Sequence, residues 1–198
     1  MPGNAVTKLA TLTPSGTTSA VFSGISSAYD DLYIVASVKT DSTSSGETRS
    51  QARLYYQFNS DTSFNYNSVN VYSQGNSGSF AIGHDVYNSS SASNNMYLSC
   101  APTSYNSSSN GWGSFEMYIP GYAVATSANP EYLGKPHRVL GCYDYGNTSN
   151  AQVGCSFNQM NYGMVTSTNT AITSINFKTI YGNYKAGTTM TMYGIKNT

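Results

Sequence analysis

Charge is what this chain has least of. Asp, Glu, Lys and Arg together make up 9% of its 198 residues, against about a quarter in ordinary globular proteins. The nine basic and nine acidic side chains are scattered singly, and no basic run supplies the electrostatic footprint that duplex nucleic acid requires. Long apolar runs are missing too. The longest, "LYIVASV", is strand-sized, so no helical membrane span is expected. The opening "MPGNAVTKLATLTPSG" has neither the charged start nor the apolar middle of a secretory signal. The expectation is synthesis and folding in a cytoplasm.

Chemistry-bearing residues are equally sparse. Cys100, Cys142 and Cys155 fit no CxxC or Cys/His ligand spacing, which argues against zinc and for reduced thiols. No D-x-D-x-D-G loop points to calcium. Only two histidines occur, His84 and His137. His137 and Cys142 are separated by an odd number of residues, so on one strand they face opposite ways and form no dyad there. Asp30 and Asp31 diverge for the same reason and read as a turn entering a strand. "GNSGSFAIG" (75–83) is glycine-rich but opens no helix, so it is no phosphate cradle. The reading is no enzyme, no cofactor and no metal.

What is abundant is tyrosine, with 18 copies, amid Ser, Thr, Asn and Gly. Apolar residues alternate with polar ones over short segments bounded by Gly, Asn and Ser clusters, and no helical period is sustained. Strands are expected at residues 19–25, 29–41, 52–58, 113–123, 171–182 and 189–195, with weaker ones near 69–73, 79–86 and 95–101 and an antiparallel hairpin within 137–157. In the second, Leu32, Ile34, Ala36 and Val38 share a face. In "GSFEMYIPGYA", Phe115, Met117 and Ile119 do so, and Pro120 ends the pairing. A four-residue loop at Asn147–Asn150 sets Leu140 opposite Phe157, Cys142 opposite Cys155 and Asp144 opposite Val153. That register gathers apolar residues on one face, which is expected to be the core face.

Nine to ten short antiparallel strands without helices make an all-β, jelly-roll-like β-sandwich. One sandwich domain is expected over residues 17–198, preceded by an extended arm at 1–16. In that arm Val6, Leu9 and Leu12 recur every third residue between Pro2 and Pro14. They are candidate anchors for a neighbouring subunit's sheet or groove. The plainer alternative is an edge strand of the chain's own sandwich. Tyr105, Trp112 and Tyr122 are candidates for a ligand or contact loop, since aromatic rings beside amides suit both uses. For Trp112 the plainer alternative is a cap packed on the sandwich end.

Five stretches together carry a resemblance: "SSAYDDLYIVASVKTD", "LYYQFNSDTSFNYNS", "GSFEMYIPGYA", "NTAITSINF" and "MTMYGI". In order and spacing they resemble a β-rich module of tailed-bacteriophage virion proteins, over roughly residues 17–196. In that module a "YxxLxIxxxxRxD"-like strand comes early, with Lys39 here at the basic position, and an "LYGI"-like strand closes the domain, here Met192–Tyr193–Gly194–Ile195. The resemblance implies a non-enzymatic virion structural protein. A capsid decoration or cement protein, a homotrimer bound to the major capsid protein, is the first expectation. A tail fibre or spike module recognising host glycan is the alternative. No nucleic acid or membrane partner is implied by either.

Overall fold

The strand over Asp31–Val38 sets the pattern for the whole chain, its buried and half-buried residues alternating from Leu32 onward. Leu32, Ile34, Ala36 and Val38 point into a shared core while Tyr33, Val35 and Ser37 point away, the period of two that a pleated strand imposes. The computed structural model describes residues 5–41, 54–61, 66–76, 79–88, 96–98, 112–124, 135–145, 152–162, 170–179 and 182–197. Of these, 66–76, 79–88, 96–98, 143–145 and 152–162 are described as backbone alone.

The described residues form twelve strands and no helix: β1 (Ala5–Leu12), β2 (Ser19–Ser23), β3 (Asp31–Val38), β4 (Leu54–Phe58), β5 (Tyr66–Asn76), β6 (Ser79–Asn88), β7 (Met96–Leu98), β8 (Gly113–Pro120), β9 (Lys135–Tyr145), β10 (Gln152–Tyr162), β11 (Ser174–Thr179) and β12 (Thr189–Lys196). They assemble into two sheets, one of eight strands in the order β1-β12-β3-β8-β9-β10-β5-β6 and one of four in the order β2-β11-β4-β7. Every named pair is antiparallel. The all-β expectation holds, with more strands than the nine to ten expected.

Inner faces of both sheets meet in one core. Phe22, Tyr56, Phe58, Ile175 and Phe177 come from the small sheet, and Leu32, Ile34, Phe115, Met117, Val139, Met190 and Met192 from the large one. The rings of Phe115 and Phe177 lie 5.2 Å apart across it. Aromatic pairs at such separations add about 0.5–1.5 kcal/mol beyond the area they bury.

The resembling stretches turn out to be one another's partners. Tyr29 lays its ring on Gly194, where a Cβ would stand 2.4 Å from the ring's Cγ. The Asn59 carboxamide, at the end of β4, accepts from Thr173 N (2.8 Å) and Ser174 N (3.2 Å) and donates to Ala171 O (2.9 Å). Beyond β3, Lys185 N donates to Lys39 O at 2.9 Å and Asn183 N to Asp41 Oδ1 at 2.5 Å. Asp30 and Asp31 both engage Asn197 after β12, through its backbone N (2.6 Å) and its Nδ2 (3.0 Å) respectively. The "GNSGSFAIG" segment supplies the end of β5 and the start of β6.

Residues 5–12, expected as part of a separate arm, are the outermost strand of the large sheet, paired along their length with β12. That is the plainer of the two alternatives for the segment. A register shift between Lys8 and Ala10 lets the strand turn Leu9, Ala10 and Leu12 toward the core, leaving Val6 61% exposed.

Candidate functional site

The β9–β10 hairpin has the register expected from its sequence: Leu140 pairs Phe157, Cys142 pairs Cys155 and Asp144 pairs Val153. Its face is inverted. Lys135, His137, Val139 and Gly141 are buried, whereas Arg138, Leu140 and Cys142 are exposed. The core takes the row with His137 because His137 has partners there. Its Nδ1 lies 2.8 Å from Lys135 O and its Nε2 meets the Tyr56 hydroxyl. Burial pushes the imidazole down to about 4. Lys135 is buried beside it, its amine held below the ordinary range by desolvation while it donates to Gly121 O and Val124 O. His137 and Cys142 do face opposite ways, as the odd spacing required.

Facing outward, the large sheet carries a lateral row that no linear motif announces. Lys8 on β1 pairs Tyr193 on β12, Tyr193 pairs Tyr33 on β3, Tyr33 pairs Tyr118 on β8, and Tyr118 pairs Arg138 on β9. Directly paired antiparallel residues share a face, so three half-buried tyrosines stand in line between two exposed cations. Strand spacing puts the ends of the row about 19 Å apart. One row along, Thr11, Thr191, Val35, Glu116 and Leu140 follow the same order, Leu140 being 38% exposed.

Carboxylates fix the phenols. Tyr33 donates to Glu116 Oε2, and that bond, with burial behind it, pushes the phenol up to about 12. Tyr118 donates to Asp31 Oδ2 at 2.7 Å and is likewise raised. Burial opposes the charge on Asp31, but donors from Tyr118, Gly121 and Asn197 outweigh it and hold the carboxyl low. Tyr33 and Tyr118 therefore stay protonated at neutral pH and act as donors and apolar surface, not as acids or nucleophiles. Arg138 sits 5.4 Å over the Tyr118 ring. No ion pair to Arg138 or Lys8 occurs among the described residues.

The residues singled out from sequence fall elsewhere. Tyr122 is fully buried and donates to Ser26 O, so it is no ligand residue. Gly121, at φ +58, turns the chain after Pro120 and drops the next side chain into the core. Trp112 is 41% exposed and lies against the turn at Gly187 with Lys39 Nζ 5.5 Å from its ring. Tyr105 lies outside the described residues. Val6 is on the outer face, and Leu9 and Leu12 pack on the core. Sequence reasoning missed Tyr33, Tyr118 and Tyr193 as a set. Each stood at an outward strand position, but the order β12-β3-β8 that aligns them is tertiary. Among the described residues no group of three His, Cys, Asp or Glu could hold a metal, and no helix could cross a membrane. No protein family model, no curated protein and no solved structure matches this chain.

Proposed function

We propose that this chain is a non-enzymatic structural protein of a tailed-phage virion, a capsid decoration or cement protein that stabilises the particle through subunit contacts. In this reading it is a homotrimer on the major capsid protein, and its two sheets form a jelly-roll-like sandwich. The observation that carries the reading is the mutual packing of the resembling stretches. Tyr29 of "AYDDLYI" rests on Gly194 of "MYGI", and Asn59 of "QFNSD" grips residues 171–174 of "TAITSINF". These contacts support reading the stretches as parts of one fold. A low-charge exterior with Val6 and Leu140 exposed also suits broad contact with neighbours better than solitary life in solution.

The test is imaging of the intact particle with the copy number of this chain, together with light scattering of the purified protein. Density at capsid three-fold positions is expected. Absence of the chain from purified particles would overturn the reading. The tyrosine row between Lys8 and Arg138 favours a second reading, a module that recognises host-surface glycan, because aromatic rings flanked by hydrogen-bonding side chains are what sugar faces and hydroxyls require.

A further inference from the structure

We propose that the row Lys8–Tyr193–Tyr33–Tyr118–Arg138 is a binding site for an extended polysaccharide that carries carboxylates at intervals along neutral sugars. The inference rests on the glycan-recognition reading and deepens it by naming the site and the ligand's charge pattern.

The row crosses the strands, and neighbouring strands lie about 4.8 Å apart, close to the advance of one residue along an extended β-linked chain. The three consecutive tyrosines are therefore spaced at one per sugar. Both ends of the row are exposed cations, and neither has an ion-pair partner among the described residues. Between them the charge is different. Glu116 lies half-buried in the adjacent row, held by the Tyr33 hydroxyl. It repels every carboxylate laid between the two cations, so a polymer charged on alternate sugars, which lays one there, is favoured over a polymer charged at every sugar, which lays three. Arg138, already over the Tyr118 ring, brings a planar fork suited to a carboxylate. The hydroxyls of Thr11 and Thr191, 3.1 Å apart in the adjacent row, add donors for sugar oxygens. Spaced carboxylates against spaced cations are the complementarity that singles out this occupant from an uncharged glycan or a second copy of the sheet.

The experiment is affinity electrophoresis of the full chain through gels containing hyaluronate (a carboxylate on alternate sugars), polygalacturonate (one on every sugar) or a neutral β-glucan. Hyaluronate should retard the protein most, and added salt should weaken the effect, since exposed charges are screened beyond about 10 Å at 0.1 M. The double variant Lys8→Gln/Arg138→Gln, changed only at exposed positions, should lose about tenfold in affinity for hyaluronate, the scale of two partly exposed charge contacts. Its weak binding to β-glucan should not change. Tyr193→Ala, checked for an unchanged fold by its melt, should weaken both. Hyaluronate binding that survives the double variant intact overturns the site while leaving glycan recognition standing. No retardation by any of the three overturns both. Self-association that the same substitutions abolish, with no polysaccharide bound, assigns the face to a second copy and overturns the proposal.

Discussion

Tyr56 on the small sheet hydrogen-bonds His137 on the large one, so a phenol and an imidazole join the two sheets inside the core. The bond settles the tautomer. Nδ1 faces the Lys135 carbonyl and must carry the proton, which leaves Nε2 to accept from the hydroxyl. Phe58, with its ring 5.1 Å away, and the Tyr56 ring at 5.6 Å line the rest of the site.

Acid should therefore weaken the fold before the carboxylates respond. An unfolded histidine titrates near 6.5, whereas His137 in place titrates near 4. Between those values the unfolded chain takes a proton that the folded chain refuses, so stability falls as pH drops through this window and levels off below it. The whole difference is worth about 3 kcal/mol at most. Asp30 and Asp31, whose carboxyls are held below the usual range, lose their contribution only below about pH 4. Urea midpoints measured from pH 7.5 to 4.5 should decline, and a His137→Gln variant should start lower but stay flat. A wild-type midpoint that does not move between pH 7 and 5 rules the mechanism out.

Gly194 should tolerate no side chain. Its Cβ would meet the Tyr29 ring at 2.4–2.7 Å, and the ring is itself packed on the core. Gly194→Ala is expected to cost about 1–3 kcal/mol, the usual range for overpacking. In a Tyr29→Ala background the same substitution should cost far less, because the clashing ring is gone. Additive losses in that double-mutant cycle would mean that the glycine answers to something other than Tyr29.

Cys142 should be open to reagent. Its exposure on the outward face predicts alkylation by iodoacetamide in the native state, at a rate that denaturant raises only modestly. Labelling that requires unfolding would return the thiol to the core side.

The hairpin marks where sequence stops being legible. Its register followed from matching apolar positions, and that matching is local to two adjacent strands. Which face meets the core did not follow, because Leu140, Cys142 and Phe157 count as apolar whether or not a second sheet covers them. The decision lay with His137 and Tyr56, 81 residues apart in sequence. Strands such as β3 and β8 were readable because their inward faces are uniformly apolar. The tyrosine row was hidden for the same reason as the hairpin's face. Its members are Tyr33, Tyr118 and Tyr193, and only the order β12-β3-β8 makes them neighbours. Tyr122 misled because a tyrosine after Pro-Gly reads as a loop residue, while the turn at Gly121 buries it.

Removing residues 1–12 separates the two roles open to the N-terminal segment. As a strand, β1 covers the edge of β12 and packs Leu9, Ala10 and Leu12 on the core. A fully buried aliphatic side chain contributes about 1.5–3 kcal/mol, and these are only partly buried. The two leucines together are then worth on the order of 3 kcal/mol, which for a domain of this size lowers the melting temperature by roughly 10 °C. Val6 is different. It is 61% exposed on the outer face, so Val6→Thr should leave the melt unchanged while weakening any subunit contact that uses this margin of the sheet. Lys8 and the register shift beside it give β1 two of the features that discourage a foreign strand from adding to an edge. Contact through the face around Val6 is thus expected over strand addition at the edge. The measurement is a thermal melt and light scattering on the truncated chain and on Val6→Thr. A truncated chain that melts like the full one contradicts the role of β1 in its own fold. A Val6→Thr protein that self-associates as before removes Val6 from the interface.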